Sequence, residues 1–441
     1  MTLSAWATDL REYTGMLKLF LLAALALLPL AAQSKSYVLK AARIFDGNLI
    51  TTPGLVVVTG SKIFAVGPGS ATPAGAELID FGDATLSPGF MDAHTHLSMD
   101  DSGNFQKMLI DGLQQTIPEQ TLRSLENLRK TLGAGFTTVR DVGSHDYIDV
   151  GLRNAVRAGK IEGPRMLVSV HALGSTGGHC DDQGGFRQGI FAREAVPEGG
   201  VINSPDQARY AVRYDIKYGA DVIKTCATGG VLSLTDEIDT PQLTQEELNA
   251  LVDEAHALRK KTAAHAHGAT GAKRAIRAGI DSIEHGTFLD DEALDMMKQR
   301  GTVWIPTLMA LEGGKAMLAA GSQPPAIEAK MRLAIESIAK TFKNGLARGV
   351  IIGLGTDAAV YPHGRNAEEF HQMVDLGMDP LQALRAGTTI DAKLFGIDGT
   401  TGSLDAGKMA DIVVIPGDPT KAIRNTEKVV FVMKEGVVYK R

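Results

Sequence analysis

Two cysteines in 441 residues, Cys180 and Cys226, are too few for a disulfide scaffold and lack zinc-finger spacing. Basic runs are missing as well: Lys plus Arg is 45 against 51 for Asp plus Glu, a net charge of −6. That balance argues against a nucleic-acid partner. Aromatic residues are scarce, at 5%. The uncharged N-terminal run 19–32 has fourteen residues, short of the ~20 an ordinary membrane span takes. It follows Lys18 and ends in small residues, the pattern of a secretory signal peptide. Asp9 and Glu12 make a poor charged start, so Met16 is an alternative first residue. The expectation is a signal segment over 1–33, export to the periplasm or medium, and a mature chain without a stable membrane span.

What is present is a globular composition. Hydrophobic residues are 44% of the chain, enough for a substantial core, which excludes an extended disordered protein. Glycine is abundant, 49 residues, as many tight βα turns would require. Short β-like runs at 37–41, 54–58 and 62–66 are echoed at the other end by 411–415, 428–433 and 437–439. These predict one small β domain, a β-sandwich, built from 34–88 and 401–441. Between them, over 89–400, strand-like and helix-like segments alternate, the signature of βα units around a parallel sheet. Eight candidate strands fall at 89–94, 137–140, 165–170, 221–225, 262–265, 281–284, 303–306 and 351–355. The predicted fold class is therefore α/β: a (β/α)8 TIM barrel plus the small β domain. The clearest helix spans 246–261, with Leu248, Leu251, Ala255 and Leu258 on one face and a Thr244/Glu247 capping box. Another starts at Ser204, with Pro205 next and Gln207 at the third position. Residues 174–200 hold eight glycines and no periodicity, so they form a long loop after strand three, a length that usually marks function.

His94 and His96 close the first strand and face the same way, because strand residues alternate. At the C-terminal end of a barrel strand that direction is the mouth, where such enzymes place their sites. Two converging imidazoles suit a cation such as zinc, although His-x-His alone is a weak signal. The same position recurs elsewhere. Lys224 ends Asp-Val-Ile-Lys, His265 ends Thr-Ala-Ala-His, His285 ends Ser-Ile-Glu-His, and Asp357 ends a glycine-rich run. Together they are a far stronger signal than any one of them. His265 and His267 face alike on strand five and compete for one role.

The set resembles the amidohydrolase superfamily: His-x-His, a strand-four Lys, His on strands five and six, and a strand-eight Asp. Ser87-Pro-Gly-Phe-Met-Asp-Ala-His-Thr-His and Gly407-Lys-Met-Ala-Asp-Ile-Val-Val resemble its barrel entry and C-terminal β signature. Gly177-Gly-His, Gly219-Ala-Asp-Val-Ile-Lys, Thr228-Gly-Gly-Val, His265-Ala-His-Gly and Asp281-Ser-Ile-Glu-His-Gly are similar to its Xaa-Pro dipeptidase-like branch, which includes carboxypeptidase-like prolidases and ochratoxin-hydrolysing amidohydrolases. The resemblance implies two divalent ions, zinc fitting the donors best. It assigns His94, His96 and Asp357 to one and His265 and His285 to the other, leaving His267 in support. Lys224, carbamylated by CO2, would bridge them. A bridging hydroxide would attack the amide carbonyl, with Asp357 as base and then acid. The implied substrate is a small-molecule amide or dipeptide: an N-acyl amino acid, an Xaa-Pro dipeptide, or ochratoxin A. Homo-oligomers are common among such relatives.

Other residues carry weaker expectations. His171 and His179 flank the glycine-rich loop and would contact substrate, His179 through its carbonyl or carboxylate. Ser98 would line the pocket beside the His pair. Arg140, ending strand two, would clamp a substrate carboxylate or else pair with Asp141 or another acid. Cys180 beside His179 invites a nucleophile reading that a dimetal site makes superfluous. An oxidising compartment permits a Cys180–Cys226 disulfide, which sequence does not decide. The alternatives are a mononuclear deaminase or cyclic-amide hydrolase of the same superfamily, which usually lacks the bridging Lys, and a non-catalytic binding protein on the same barrel.

Overall fold

The computed structural model describes residues 35–100, 103–321 and 323–441. The expected signal segment lies outside them. The chain opens with seven strands: β1 (Ser36–Ala41), β2 (Arg43–Phe45), β3 (Ile50–Thr51), β4 (Gly54–Thr59), β5 (Lys62–Val66), β6 (Glu77–Asp80) and β7 (Ala84–Pro88). Parallel strands follow: β8 (Phe90–Thr95), β9 (Phe136–Asp141), β10 (Arg165–Val168), β11 (Ala172–Leu173), β12 (Val222–Cys226), β13 (Lys261–Gly268), β14 (Ser282–Phe288) and β15 (Val303–Ile305). The chain closes with β16 (Ile412–Pro416), β17 (Phe431–Lys434) and β18 (Val437–Lys440).

The two ends share a sheet. β16 pairs antiparallel with β7, in the order β18-β17-β16-β7-β2-β3, and a second sheet runs β5-β4-β1-β6. A common apolar cluster, including Leu39, Val56, Leu86, Ile412 and Phe431, packs them together. The middle of the chain forms two parallel sheets, β10-β9-β8 and β11-β12-β13-β14-β15. Their strands are buried along nearly their whole length, as parallel strands covered on both faces should be.

Two expected strands differ in the structure. The third is cut short: Val170 adopts φ +70°, which separates β10 from the two-residue β11. The eighth makes no ladder. Its residues form single bridges instead, Ile352 to Trp304 of β15, and Ala358 to Thr95 of β8. Glycines explain the thin contact, because a Cβ on Gly355 would run into Ile305 and come within 2.9 Å of the His94 backbone nitrogen. Segment 351–358 thus links the two parallel sheets on one side. On the other, Asp221 N donates to Val168 O at 2.7 Å.

Helix starts follow the capping signals. Thr244 and Glu247 form the capping box of Gln245–Ala257, and Ser204 accepts from Gln207 N at the start of Pro205–Tyr218. The first of these ends four residues short of the expected 261. Leu258 becomes its C-cap and faces solvent, because Lys261 already begins β13.

Candidate active site

His94, Lys224, His265, His267, His285 and Asp357 are all buried and line one cavity of about 290 Å³, which His96 also lines. Each comes from a parallel strand, His96 from just past the end of one, or, for Asp357, from the linking segment. The ligand-competent atoms of His265, His267 and His285 lie within 4.8 Å of one another, as do those of His94, His285 and Asp357. His285 belongs to both groups. Asp357 Oδ1 is 3.3 Å from His96 Nε2 and 3.5 Å from His94 Nε2.

Hydrogen bonds around the rings fix which nitrogen is free. His94 Nδ1 faces the Glu284 carboxylate at 2.8 Å, His96 Nδ1 the Gly143 carbonyl at 3.0 Å, and His265 Nε2 the Gly229 carbonyl at 3.1 Å. Those partners only accept, so the ring hydrogen sits on that nitrogen and a neutral ring keeps its other lone pair for the cavity. His285 follows the same rule: Thr307 Oγ1 donates to the Pro306 carbonyl and therefore accepts from His285 Nδ1 at 2.7 Å. Imidazoles anchored through one nitrogen by a carboxylate, carbonyl or hydroxyl are the usual form of metal-ligating histidine. His267 is held in a similar way, with Nδ1 2.7 Å from Thr287 Oγ1. The structure therefore gathers both strand-five rings beside His285.

Electrostatics agree with this donor set. Burial, reinforced by Lys224, pushes His94 down to about 4. Burial also lowers His265 and His285 far below the ordinary histidine value, with the neighbouring imidazoles adding to it. Asp357 is held well below the usual carboxylate range, because His94, His96 and Lys224 outweigh the effect of its burial. Lys224 is 3% exposed, and among the described residues it forms no hydrogen bond or ion pair. Burial lowers its amine to about 8. A lone buried ammonium is costly, and neutral or modified lysine is not. Backbone strain gathers here too: His285, Thr307 and Asp357 are non-glycine residues at φ +68°, +50° and +59°. Donors, tautomers and charge all fit a bound metal ion.

Comparison with known proteins agrees with the geometry. The sequence profile of the Amidohydrolase family matches residues 85–439. The chain belongs to that family. Ochratoxinase from Aspergillus niger is 31% identical over 380 residues, covering 80% of this chain and 75% of its own. A Xaa-Pro dipeptidase, solved with methionine bound in its active site, superposes with a TM-score of 0.86 at 36% identity, over 92% of this chain and all of that one. The crystal structure of A. niger ochratoxinase gives 0.79 at 28% identity, covering 92% and 96%. The protein is thus a hydrolytic enzyme with a mixed α/β amidohydrolase fold, related to ochratoxinase and prolidase.

Around the centre of this amidohydrolase, two expected substrate contacts are corrected. Arg140 is 1% exposed and does not line the cavity. Its partners are Glu284 Oε1 at 2.8 Å, the Ala93 carbonyl at 2.7 Å and Ser282 Oγ at 3.1 Å, so it pairs with Glu284 rather than Asp141 and supports His94 from beneath. Although burial works to raise it, Glu284 is held down to about 2 by Arg140 and His94. Ser98 does not line the cavity either; it bonds Ser144 Oγ at 2.9 Å, and Ser144 reaches the wall instead. His171 and His179 do line it. His171 Nδ1 meets Asp215 at 2.7 Å, and although burial opposes its charge, that carboxylate raises the ring above its ordinary value.

His179 is turned differently from its expected use. Ser233 donates its hydroxyl hydrogen to Asp236 at 2.7 Å, so it accepts from His179 Nδ1 at 3.0 Å. The neutral ring then offers Nε2 as an acceptor, whereas a carbonyl or carboxylate needs a donor. Cys180 and Cys226 are joined as a disulfide with Cα atoms 6.0 Å apart, tying the glycine-rich loop to the end of β12 and leaving no free thiol nucleophile there.

Sequence reasoning missed the supporting shell. Glu284, one residue before His285, was visible as an acid in an apolar strand. Asp92 had the same signal: it accepts from Thr356 Oγ1 at 2.6 Å and Asn366 Nδ2 at 2.8 Å, bracing the segment before Asp357. The apolar wall opposite the imidazoles, with Phe105, Met108, Leu311, Met317, Met331 and Ile335, had no signal beyond ordinary helical stripes.

Proposed function

We propose that this amidohydrolase is a dinuclear metal enzyme that cleaves the amide between an acyl group and a C-terminal amino acid, as in N-acyl amino acids, dipeptides or ochratoxin A. The names of its relatives, a Xaa-Pro dipeptidase and ochratoxinase, support amides of this class. The observation that carries the reading is Lys224, a buried amine that makes no hydrogen bond or ion pair among the described residues, set among anchored imidazoles and Asp357. An amine lowered to about 8 is partly neutral near pH 7.5, the form that adds to CO2. Addition of the neutral amine to CO2 releases one proton and leaves an anionic carbamate, two protons in all from the ammonium form, which explains a lysine at a metal centre.

His94, His96 and Asp357 would hold one ion, His265 and His285 the other, with carbamylated Lys224 between them. Zinc suits this mix of nitrogen and oxygen donors. When bound, the ions supply Lewis acidity toward the substrate carbonyl and toward water. Asp357 Oδ1 is the carboxylate placed to take a proton from the attacking water and return it to the leaving nitrogen. His171, whose ring Asp215 raises above its ordinary value although burial opposes it, would offer a donor to a substrate carboxylate when protonated. The methionine-rich wall takes an apolar side chain and excludes water from the other side.

The same reading includes a (β/α)8 barrel closed by segment 351–358, and a β-sandwich domain from both chain ends. Export is proposed from the N-terminal pattern, and the Cys180–Cys226 pairing supports an oxidising compartment.

The test is release of free amino acid from N-acyl amino acids, Xaa-Pro dipeptides and ochratoxin A by zinc-loaded protein. Release that a chelator abolishes and zinc restores is expected. Protein that binds two equivalents of zinc yet releases no amino acid from any of these would refute it.

A further inference from the structure

Nothing in the sequence pattern marks Lys330, which sits in the long helix Pro325–Arg348. The helix buries it, and its three N–H bonds are all used: Gly230 O at 3.0 Å, Ser233 O at 2.9 Å and Asp236 Oδ1 at 2.7 Å. A buried ammonium with every donor satisfied and an acid beside it is a built feature, because an unmet one is too costly to keep.

The network it anchors ends on one ring. Asp236 accepts from Lys330, from Ser233 Oγ at 2.7 Å and from Gln242 Nε2 at 2.8 Å. Ser233 then accepts His179 Nδ1, and Gln242 Oε1 accepts the backbone nitrogen of His179 at 2.9 Å. One face of the His179 ring stacks on His265, with centroids 4.2 Å apart. Gly230 lies against the ring, and any Cβ there would collide with it. The disulfide holds the next residue, Cys180. Ring, backbone and chain neighbour of His179 are each fixed by a separate contact, far more than a surface-loop histidine needs.

We infer that Lys330 is a positioning residue for this site: through Asp236 and Ser233 it sets the His179 ring against His265, with Nδ1–H committed to Ser233 and Nε2 left to the cavity as a hydrogen-bond acceptor. The substrate group that His179 meets is then an N–H or O–H donor, and on the amide-hydrolase reading, on which this inference rests, the N–H of a secondary amide, as in an N-acyl amino acid and unlike an Xaa-Pro bond, is that donor. The same helix places Met331, Ala334, Ile335 and Ile338 on the cavity wall, so the helix that anchors the His179 network also supplies part of the apolar wall.

A double-mutant cycle on zinc-loaded protein tests this. Lys330→Met is expected to lower kcat on the best N-acyl amino acid about 100-fold, the scale of a reacting geometry misplaced by ~1 Å, with KM little changed. In a His179→Ala background the same change should cost nothing further, because the ring it positions is gone. Ser233→Ala, which removes one hydroxyl, serves if Lys330→Met does not fold. Equal losses in both backgrounds, or a fall in Tm with kcat intact, would overturn the inference. A second readout needs no turnover. Ring 15N shifts of labelled histidine, with His179 assigned by its Ala variant, should show the Nδ1–H form in wild type and its loss in Ser233→Ala. An Nε2–H ring in wild type overturns the inference. If no acyl amino acid is hydrolysed, the functional reading fails while the ring shifts still decide the positioning.

Discussion

Arg140 and Glu284 form a fully buried ion pair directly beneath the imidazoles, at 1% and 0% exposure. Glu284 divides its oxygens, one to Arg140 and one to His94 Nδ1, so a charge buried for structure also sets the tautomer of a ligand candidate. Removing one partner of such a pair leaves the other charge uncompensated. Arg140→Met is therefore expected to destabilise the protein by about 3–5 kcal/mol, read by urea unfolding, and to raise the carboxyl pKa of Glu284. Arg140→Met combined with Glu284→Met should recover most of that loss in stability. It should still lose metal affinity, measured as zinc content after dialysis, because His94 has lost its anchor. Equal instability in the single and double variants would contradict this account. His94 was legible through the set of strand-end residues it belongs to, since His-x-His alone is a weak signal, and the structure brings that set to one cavity. Arg140 was read either toward a substrate carboxylate or toward an acid, and the second holds with Glu284 as that acid; a strand-end arginine shows its charge in the sequence but not which acid on a distant strand it meets.

At the scale of elements, the segment carrying Asp357 is the instructive case. Alternation and glycine placed a strand at 351–355, yet the structure forms only bridges, because Gly353 and Gly355 let the backbone press against β15 and β8. Gly355→Ala is expected to push the segment off Ile305 and His94, with a Tm fall of several degrees and weaker zinc binding. A variant with wild-type Tm and zinc content would show that the close approach is unimportant. Asp391 holds the same segment from behind, accepting Leu354 N at 3.2 Å, and burial keeps its carboxyl far above the ordinary value. The sign follows directly. A raised acid stabilises the fold below the unfolded carboxyl value of ~3.9 and loses that contribution as pH rises. Asp391→Asn keeps the acceptor and cannot ionise. Its stability relative to wild type should therefore increase steadily from pH 4 toward pH 9, measured by denaturant midpoints, and a flat difference would count against a neutral Asp391. Capping boxes and buried parallel strands were legible because they are local. The cut in strand three at Val170, and the loop at 229–242 that carries Asp236 and Gln242, are set by distant partners and were not.

On the scale of the whole molecule, the β-rich ends are joined to the chemistry by one residue. β7 stops at Pro88 and β8, which carries His94, starts at Phe90; Gly89 N between them donates to the Asp411 carbonyl at 2.8 Å. The Asp411 side chain in turn accepts from Arg165 of β10 at 2.7 Å, Thr401 Oγ1 at 2.8 Å and Glu435 N at 2.8 Å. The segment from Asp411 to the end thus braces both β8, the strand of the first ligand candidate, and β10, two strands along in the same parallel sheet. Sequence style alone paired the two ends correctly, but it gave no hint that they hold β8 in place. If they do, a chain ending at residue 410 loses β16, β17 and β18 from beside β7, exposes the buried Leu86 and leaves Arg165 without both its acids. Such a chain should be insoluble or unfolded by circular dichroism. Asp411→Ala in the full chain should fold but unfold in two separate denaturant steps, with zinc released in the earlier one. Were the shortened chain to fold and keep two zinc ions, the β-rich ends would be an accessory to the site and not its support.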